Sequence, residues 1–180
     1  MRVHIFGASG SGTTTLGRAL AEHHRTAFFD ADDYYWAPAE MPFTVKRTIP
    51  ERHALLLPDL KAHKSWVLSG SMVSWVEPVL PLLTAAIYVS CPPEERIARL
   101  WARERERYGD RIEPGGDRHQ SALEFIEWAQ GYDSGAFDGR SRMRHEAFIT
   151  SLSIPVLRLS SLDSRESMLS QAVDWLEEMQ

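Results

Sequence analysis

The sequence has little cysteine, little lysine and no long apolar run, and each shortage narrows the class of protein. One cysteine, Cys91, cannot form a disulfide framework, so we expect a reducing compartment, the cytoplasm. No apolar stretch approaches the roughly 18 residues of a membrane span, and the start "MRVHIF" lacks the order of a secretory signal. The net charge of −5 argues against a broad basic surface for nucleic acid. We therefore expect no membrane or nucleic-acid partner.

The length of the chain and its hydrophobic pattern predict one α/β domain. The 180 residues are enough for a single core, so we expect one domain over residues 1–180. Short apolar runs alternate with longer stretches of helical periodicity, which is typical of a parallel sheet with helices on its faces. One such helix is predicted near residues 120–130, ending at Gly131. Five runs are predicted as strands: residues 2–6, 27–30, 66–69, 85–90 and 156–160.

A glycine-rich segment, "GASGSGTTT" at residues 7–15, lies between the first predicted strand and the first predicted helix. This position and the spacing of its glycines are those of a phosphate-binding loop. Backbone N–H groups around the glycines and the dipole of the following helix both favour a bound anion. The sequence therefore predicts that eight residues hold the phosphates of a nucleotide: Gly7, Ser9, Gly10, Ser11, Gly12, Thr13, Thr14 and Thr15.

The lysine of the phosphate-loop motif is missing, because Thr13 follows Gly12. Thr14 stands where the motif places the hydroxyl that holds Mg²⁺. Phosphoryl transfer depends on positive charge near the phosphates, and the chain has 3 lysines against 17 arginines. We favour the hypothesis that an arginine has taken over the charge. The alternatives are a loop that binds nucleotide without turnover and a loop that binds another anion.

Carboxylates follow the second predicted strand in "FFDADDYYW", residues 28–36. Asp30 and Asp32 alternate with Ala31, so an extended chain would point both carboxylates to the same side, near the phosphate loop. One carboxylate would hold a Mg²⁺-bound water and the other would accept the proton of a substrate hydroxyl. The alternative is an acidic turn whose side chains cap their own backbone.

Arginines recur at helical spacing after the fourth predicted strand, at Arg96, Arg99, Arg103 and Arg107. The following segment, residues 105–120, combines further arginines with glycines and a proline, a composition that allows a loop to close over a site. We expect an arginine of residues 99–118, first Arg103 or Arg107, to supply the charge that Thr13 lacks. The alternative is a solvated helix end with surface ion pairs.

These motifs together resemble the small P-loop kinases of the nucleoside-monophosphate kinase and shikimate kinase group. The resemblance rests on the strand, glycine loop and helix, on "FFDADD", on "WVLSGS", on "IYVSCPPEERIARLWARERERYG" and on "PVLRLS". It implies a three-layer P-loop NTPase fold with a five-stranded parallel sheet in the order 2-3-1-4-5. It also implies ATP with Mg²⁺, and an arginine-bearing helical lid at about residues 103–145.

The resemblance further implies roles for individual residues. Asp30 would lie near Mg²⁺ with Thr14, Asp32 would face the acceptor hydroxyl as the catalytic base, and Gly70 would lie beneath the acceptor. Arg47 and Arg52 would clamp a phosphate or carboxylate of the acceptor, and the alternative to them is the triplet Arg140, Arg142 and Arg144. The implied function is ATP-dependent phosphoryl transfer to a small hydroxyl- or phosphate-bearing metabolite. The alternative is a nucleotide-binding regulatory or interaction module with little or no turnover.

Overall fold

Five short strands form a parallel sheet at the centre of the fold, in the order β2-β3-β1-β4-β5. This is the predicted order, and in the computed structural model four of the five strands have the predicted bounds. The structure describes residues 1–135 and 139–179, so residues 136–138 of the predicted lid lie outside the described residues. The strands are β1 (Arg2–Gly7), β2 (Ala27–Asp30), β3 (Trp66–Ser69), β4 (Ala85–Ser90) and β5 (Val156–Ser160).

Helices connect the strands and give the fold its outer layers. They are α1 (Thr13–His23), α2 (Ala31–Tyr35), α3 (Ile49–Ala62), α4 (Pro93–Tyr108), α5 (His119–Ser134), α6 (Arg142–Ser151) and α7 (Arg165–Glu178). Short 3₁₀ turns occupy Leu80–Leu82 and Gly109–Ile112. Within residues 1–135 and 139–179, no helix has the length and apolar character needed to cross a membrane.

The two faces of the sheet are covered by different helices, which makes three layers. Helices α1 and α7 bury Leu20 and Val173 against one face. Helices α3 and α6 bury Leu56 and Phe148 against the other. Each such side chain stabilises the fold by about 1.5–3 kcal/mol when it is fully buried. A smaller apolar cluster that includes Leu100 joins α4 to α5.

Strand register brings the predicted site residues to one edge of the sheet. Ser69 in β3 pairs with Ile5 in β1 and with Asp30 in β2. Because all strands are parallel, their carboxyl ends meet at this edge, where ligands of such sheets bind. The glycine loop after β1, the start of α2 and Gly70 after β3 are therefore neighbours.

The predicted end of the fifth helix was wrong. Gly131 is buried inside α5, which continues to Ser134 and ends at Gly135, with φ of +68°. A glycine can lie within a helix where close packing favours a small residue, whereas the left-handed conformation at Gly135 is the typical helix end. The additional turn carries Tyr132 and Asp133, and both make long-range contacts described below.

Candidate active site at the phosphate loop

The glycine loop forms an open cradle at the start of α1. Gly12 has a φ of +92° and is the N-cap of this helix, so its N-terminal dipole points into the loop. A Cβ atom built on Gly12 would meet no atom within 4 Å. The space beside Gly12 is therefore open to a ligand, as a phosphate site requires.

Close contacts fix the rest of the loop. A Cβ on Gly7 would lie 2.4 Å from the Val89 carbonyl oxygen, and one on Gly10 would lie 2.8 Å from the Arg96 carbonyl oxygen. Ser11 is fully buried, and its hydroxyl has no hydrogen-bond partner among the described residues. A buried donor without a partner fits a loop whose interior is completed by an anion.

The structure brings Thr14 and Asp30, the two predicted magnesium ligands, into direct contact. The Thr14 hydroxyl donates a hydrogen bond to Asp30 Oδ2, at 3.0 Å. Asp30 Oδ1 accepts a hydrogen bond from the backbone N–H of Asp32, at 3.1 Å, and so caps α2. A hydroxyl and a carboxylate beside a phosphate cradle are the oxygen ligands that suit Mg²⁺, which keeps several waters and phosphate oxygens of its own.

Asp32 lies close to Asp30, but not through the predicted extended alternation. Strand β2 ends at Asp30, and Asp32 belongs to the first turn of α2. The alternative considered from the sequence, an acidic segment that caps its own backbone, thus describes Asp30. Asp32 retains exposed surface, yet desolvation raises the pKa of its carboxyl group. Arg140 and Arg103 lower this pKa by their positive charge, and Asp30 raises it.

Gly70 forms part of the floor beside the two carboxylates. It has a φ of +98°, and a Cβ there would lie 3.0 Å from the Ala31 Cβ and 3.6 Å from Asp30 Oδ1. The buried His4 side chain donates from Nε2 to the Gly70 carbonyl oxygen, at 2.8 Å. Burial lowers the pKa of His4 to about 4, so the ring is neutral at pH 7. Only glycine fits this position without strain.

Arg47 and Arg52, the predicted acceptor clamp, contact the end of α2. Arg47 Nη1 donates to three backbone carbonyl groups, those of Asp33, Tyr34 and Trp36. Arg52 Nε donates to the Arg47 carbonyl oxygen at 2.9 Å, and its guanidinium lies 3.8 Å from the centre of the Tyr35 ring. Both arginines thus build one wall of the cleft, and Arg47 stabilises carbonyl groups that the helix end leaves unpaired.

The arginines predicted to replace the missing lysine have different surroundings. Arg103 lies close enough to Asp32 for their charges to interact, and its guanidinium is 5.6 Å from the centre of the Phe125 ring. Both arginines lie near Glu104, Arg103 at 3.8 Å and Arg107 at 3.7 Å, and Arg107 is also 5.4 Å from the centre of the Phe43 ring. The two therefore differ in their other neighbours: the charge of Arg103 interacts with that of Asp32, whereas Arg107 lies against Phe43.

An arginine outside the predicted range makes the direct contact with the phosphate loop. Arg140, between α5 and α6, donates from Nη1 to the Ser9 hydroxyl oxygen, at 2.9 Å. None of the carboxylates in residues 1–135 and 139–179 forms an ion pair with Arg140. The sequence indicates Arg140 only as one of three arginines that could bind the acceptor, and not as a neighbour of the phosphate loop, because the contact spans 131 positions.

Arg96, the first arginine of the predicted stripe, is not exposed but fully buried between the loop and the lid helices. It donates to the Ala129 carbonyl oxygen at 3.0 Å and to Asp133 at 2.8 Å. Its Nη1 also lies 3.5 Å from the Ser9 carbonyl oxygen. The conformation of the phosphate loop is therefore tied to α4 and α5.

Solved structures of several kinases share this fold. A gluconokinase from Sinorhizobium meliloti 1021 aligns over 99% of this chain and 92% of its own, with a TM-score of 0.54 and 17% identity. A shikimate kinase from Bacteroides thetaiotaomicron aligns over 98% of both chains, with a TM-score of 0.54 and 19% identity. A shikimate kinase from Acinetobacter baumannii in complex with shikimate aligns over 99% of this chain and 94% of its own, with a TM-score of 0.54 and 16% identity.

Sequence comparisons place the chain in a family. It is 37% identical over 174 residues to the uncharacterized protein YqaC of Bacillus subtilis (strain 168), covering 97% of this chain and 96% of that protein. A family model described as an AAA domain matches residues 3–122, from β1 through the phosphate loop to the start of α5. The chain therefore belongs to the AAA domain family and has the fold of the small P-loop kinases.

Proposed function

We propose that this protein is a kinase that transfers the γ-phosphoryl group of ATP, with Mg²⁺, to a small hydroxyl- or phosphate-bearing metabolite. The observation that carries the proposal is the 3.0 Å contact between Thr14 and Asp30, with Asp32 in the next turn. Two carboxylates beside a phosphate cradle are what phosphoryl transfer needs, one for the metal and one for the acceptor. A protein that only held nucleotide would have less use for the second carboxylate.

Thr14 and Asp30 would hold Mg²⁺, whose charge offsets that of the phosphate oxygens during transfer. The loop residues from Gly7 to Thr15 would bind the phosphates through backbone N–H groups. Gly12 supports this assignment because the space beside it is open, and Ser11 because its buried hydroxyl has no partner among the described residues.

Asp32 is the base in this proposal. Desolvation raises the pKa of its carboxyl group, which makes it a better proton acceptor than an ordinary aspartate. The acceptor would lie over Gly70, against the wall that Arg47 and Arg52 build. Of these two, Arg52 is the better candidate for direct contact, because Arg47 Nη1 is engaged by backbone carbonyl groups.

Arg140 is the first candidate for the cation that replaces the loop lysine, with Arg103 as its partner. Arg140 already touches the loop at Ser9, and the charges of both arginines act on Asp32. An arginine can contact two phosphate oxygens at once through its planar guanidinium group, so a lysine at position 13 is not required. Arg107 is a weaker candidate than Arg103, because the charges that act on Asp32 are those of Arg140 and Arg103, and Arg107 lies against Phe43.

A second candidate function is a nucleotide-binding regulatory module with little or no turnover. Thr13 favours it, because a neutral hydroxyl forms a hydrogen bond about half as strong as a charged donor does.

The two functions differ in whether an acceptor stimulates formation of ADP. The purified protein would be incubated with ATP and Mg²⁺ and with single acceptors: shikimate, D-gluconate and nucleoside monophosphates. ADP would be measured by a coupled assay, and the phosphorylated product by ³¹P NMR. Acceptor-dependent ADP formation that Asp32→Asn abolishes supports the kinase. ATP binding without stimulation by any acceptor supports the module.

A further inference from the structure

Four polar side chains form a chain of hydrogen bonds behind the proposed acceptor site. Ser71 Oγ lies 2.8 Å from His145 Nε2, and His145 Nδ1 lies 2.7 Å from the Tyr132 hydroxyl oxygen. The Tyr132 hydroxyl lies 3.1 Å from that of Tyr88. His145, Tyr132 and Tyr88 are buried, and Ser71 is half-buried. The chain thus begins next to Gly70 and ends on β4.

The protons of this chain of hydrogen bonds can be arranged in two ways. Burial and the charge of Arg140 lower the pKa of His145 to about 3, so its ring is neutral and carries one N–H. Three contacts share four protons, one each from Ser71, His145, Tyr132 and Tyr88. In the first arrangement every proton points towards Ser71, whose own O–H is left to donate outwards. In the second, the protons point the other way and the Tyr88 O–H is left over.

The surroundings of Tyr88 favour the first arrangement. Tyr88 lines a cavity of about 350 Å³ together with Arg142, Arg158 and Glu146. The Arg158 guanidinium lies 5.6 Å from the centre of the Tyr88 ring. Arginine only donates hydrogen bonds, so a lone pair of the Tyr88 oxygen suits this end better than its proton does.

The carboxylates near this end are already engaged by arginines. Both oxygens of Glu146 accept from Arg158, at 2.9 and 2.6 Å. Asp133 accepts from Arg142 through Oδ1 and from Arg96 through Oδ2. Because these carboxylates already accept hydrogen bonds from arginines, they are poor acceptors for the Tyr88 proton. The nearby guanidinium groups, which only donate, therefore favour the first arrangement.

Ser71 lies at the carboxyl end of the sheet, where the acceptor would bind. Gly70, the residue before it, approaches Asp30. Arg140, whose charge acts on His145, reaches the phosphate loop at Ser9. Two donors, the Ser71 hydroxyl and the Arg140 guanidinium, therefore belong to the same part of the cleft.

We propose that Ser71 donates a hydrogen bond to an oxygen atom of the phosphoryl acceptor, and that His145, Tyr132 and Tyr88 set the direction of that bond. This inference rests on the proposed kinase function. It narrows the acceptor to molecules that carry a hydrogen-bond-accepting oxygen, such as a carboxylate or a second hydroxyl, beside the hydroxyl that is phosphorylated. Ser71 contacts the substrate in this proposal, and the other three are positioning residues.

The arrangement can be read from the tautomer of His145, independently of any activity. Two-bond ¹H–¹⁵N correlation spectra of the ligand-free protein distinguish the two neutral tautomers, and loss of the signals in His145→Gln assigns them. We expect the proton on Nε2. Two other histidines of the protein give reference signals for the two tautomers, because a carbonyl oxygen can only accept a hydrogen bond. His4 must carry its proton on Nε2, where it faces the Gly70 carbonyl oxygen, and His119 on Nδ1, where it faces the Ile112 carbonyl oxygen. A proton on Nδ1 of His145 would overturn the proposal.

Variants at Tyr88 and Tyr132 test the direction of the hydrogen bonds separately from any structural role of these residues. Tyr88→Phe removes the acceptor that the second arrangement needs for the Tyr132 proton, so the Nε2 tautomer should persist. Tyr132→Phe leaves Nδ1 of His145 without its donor and should give a mixture of tautomers. An unchanged single tautomer in Tyr132→Phe would contradict the proposed role of Tyr132.

Kinetics test the contact with the acceptor. With any acceptor that the wild type phosphorylates, Ser71→Ala should raise the KM for that acceptor about tenfold, as expected for loss of one hydrogen bond, and leave the KM for ATP unchanged. Unchanged acceptor KM in Ser71→Ala, with normal turnover by the wild type, defeats this inference and leaves the kinase proposal standing. If the wild type phosphorylates no acceptor, the kinase proposal fails, and with it the role of Ser71 as a substrate contact.

Discussion

The hydroxyl of Thr14 donates a hydrogen bond to Asp30 across 3.0 Å, which joins the first turn of α1 to the end of β2. Neither residue was predicted to touch the other, although both were predicted as magnesium ligands. If the two residues bind Mg²⁺ as proposed, this contact would hold both oxygen ligands in position before the ion binds, which would lower the entropy cost of binding.

Thr14→Val should remove most of the effect of Mg²⁺ on ATP binding, because valine has the shape of threonine without its hydroxyl. We expect the affinity for ATP to become nearly the same with Mg²⁺ and with EDTA, measured by calorimetry. Thr14→Ser keeps the hydroxyl and should retain the wild-type difference. A full magnesium effect in Thr14→Val would assign the metal to other residues.

Gly12→Ala should weaken nucleotide binding more than its effect on stability explains. The substitution adds a methyl group to the open cradle and costs about 1–2 kcal/mol of backbone strain at a φ of +92°. Gly115 is a matched control, since it has the same φ of +92° and equally open surroundings. Both variants should lose similar stability in urea, and only Gly12→Ala should lose ATP affinity. Equal affinities in the two variants would place the phosphates elsewhere.

Asp32→Asn should lower kcat by about 10²-fold or more while ATP affinity is kept, as expected for loss of a general base. The wild-type pH profile gives a second test. Because desolvation raises the pKa of Asp32, activity should begin to fall, as the pH is lowered, above the ordinary pKa of aspartate. Parallel loss of ATP affinity and turnover in Asp32→Asn would instead make this residue a metal ligand.

Arg140→Ala should lower phosphoryl transfer by about 10³-fold, the lower range for an arginine that stabilises the transferring group. Thr13→Lys should then restore part of the activity in the Arg140→Ala background and add little to the wild type. Arg105→Ala is the control, because Arg105 is exposed and forms a surface pair with Glu113 at 3.2 Å. Loss of activity in Arg103→Ala alone would assign the charge to Arg103.

Acid should destabilise the protein through its buried histidines. Burial lowers the pKa of His4 to about 4 and that of His145 to about 3, so below about pH 6.5 the unfolded chain binds protons that the folded chain does not. Stability should fall as the pH drops from 6.5 towards 4, by up to about 1.4 kcal/mol per pH unit for each group. His4→Gln keeps a donor to the Gly70 carbonyl group but cannot titrate, so it should reduce this slope in urea unfolding. If the dependence of stability on pH were unchanged in His4→Gln, protonation of His4 would not contribute to the destabilisation by acid.

The sheet was predictable because its signals are local. The central strands β1, β3 and β4 are almost entirely buried and read as short apolar runs, and the phosphate loop is recognised by its glycine spacing between a strand and a helix. The start of α2 was missed for an equally local reason: Asp30 can end a strand and cap a helix, and the alternation of Asp30 with Asp32 indicated an extended chain instead.

The parts of the site that could not be predicted depend on long-range contacts. Arg96 belongs to a stripe of arginines with helical spacing, and the partners that compensate its burial, among them the Ala129 carbonyl group and Asp133, are more than 30 positions away. Arg140 contacts Ser9 across 131 positions, and Ser71 contacts His145 across 74 positions. Such pairs cannot be predicted from the composition or the periodicity of the sequence.

The burial of Arg96 has a consequence for how substrates enter. Its guanidinium links α4 to the phosphate loop and to α5, so an outward movement of these helices would pull on the loop. Residues 37–46, which follow α2, are closed by an isolated antiparallel bridge between Trp36 and Lys46, and two of their exposed side chains contact the lid: Phe43 lies against Arg107 and Met41 against Arg118. We therefore expect substrates to enter beside this segment, where side-chain contacts can separate, rather than by movement of α4 and α5 away from the phosphate loop.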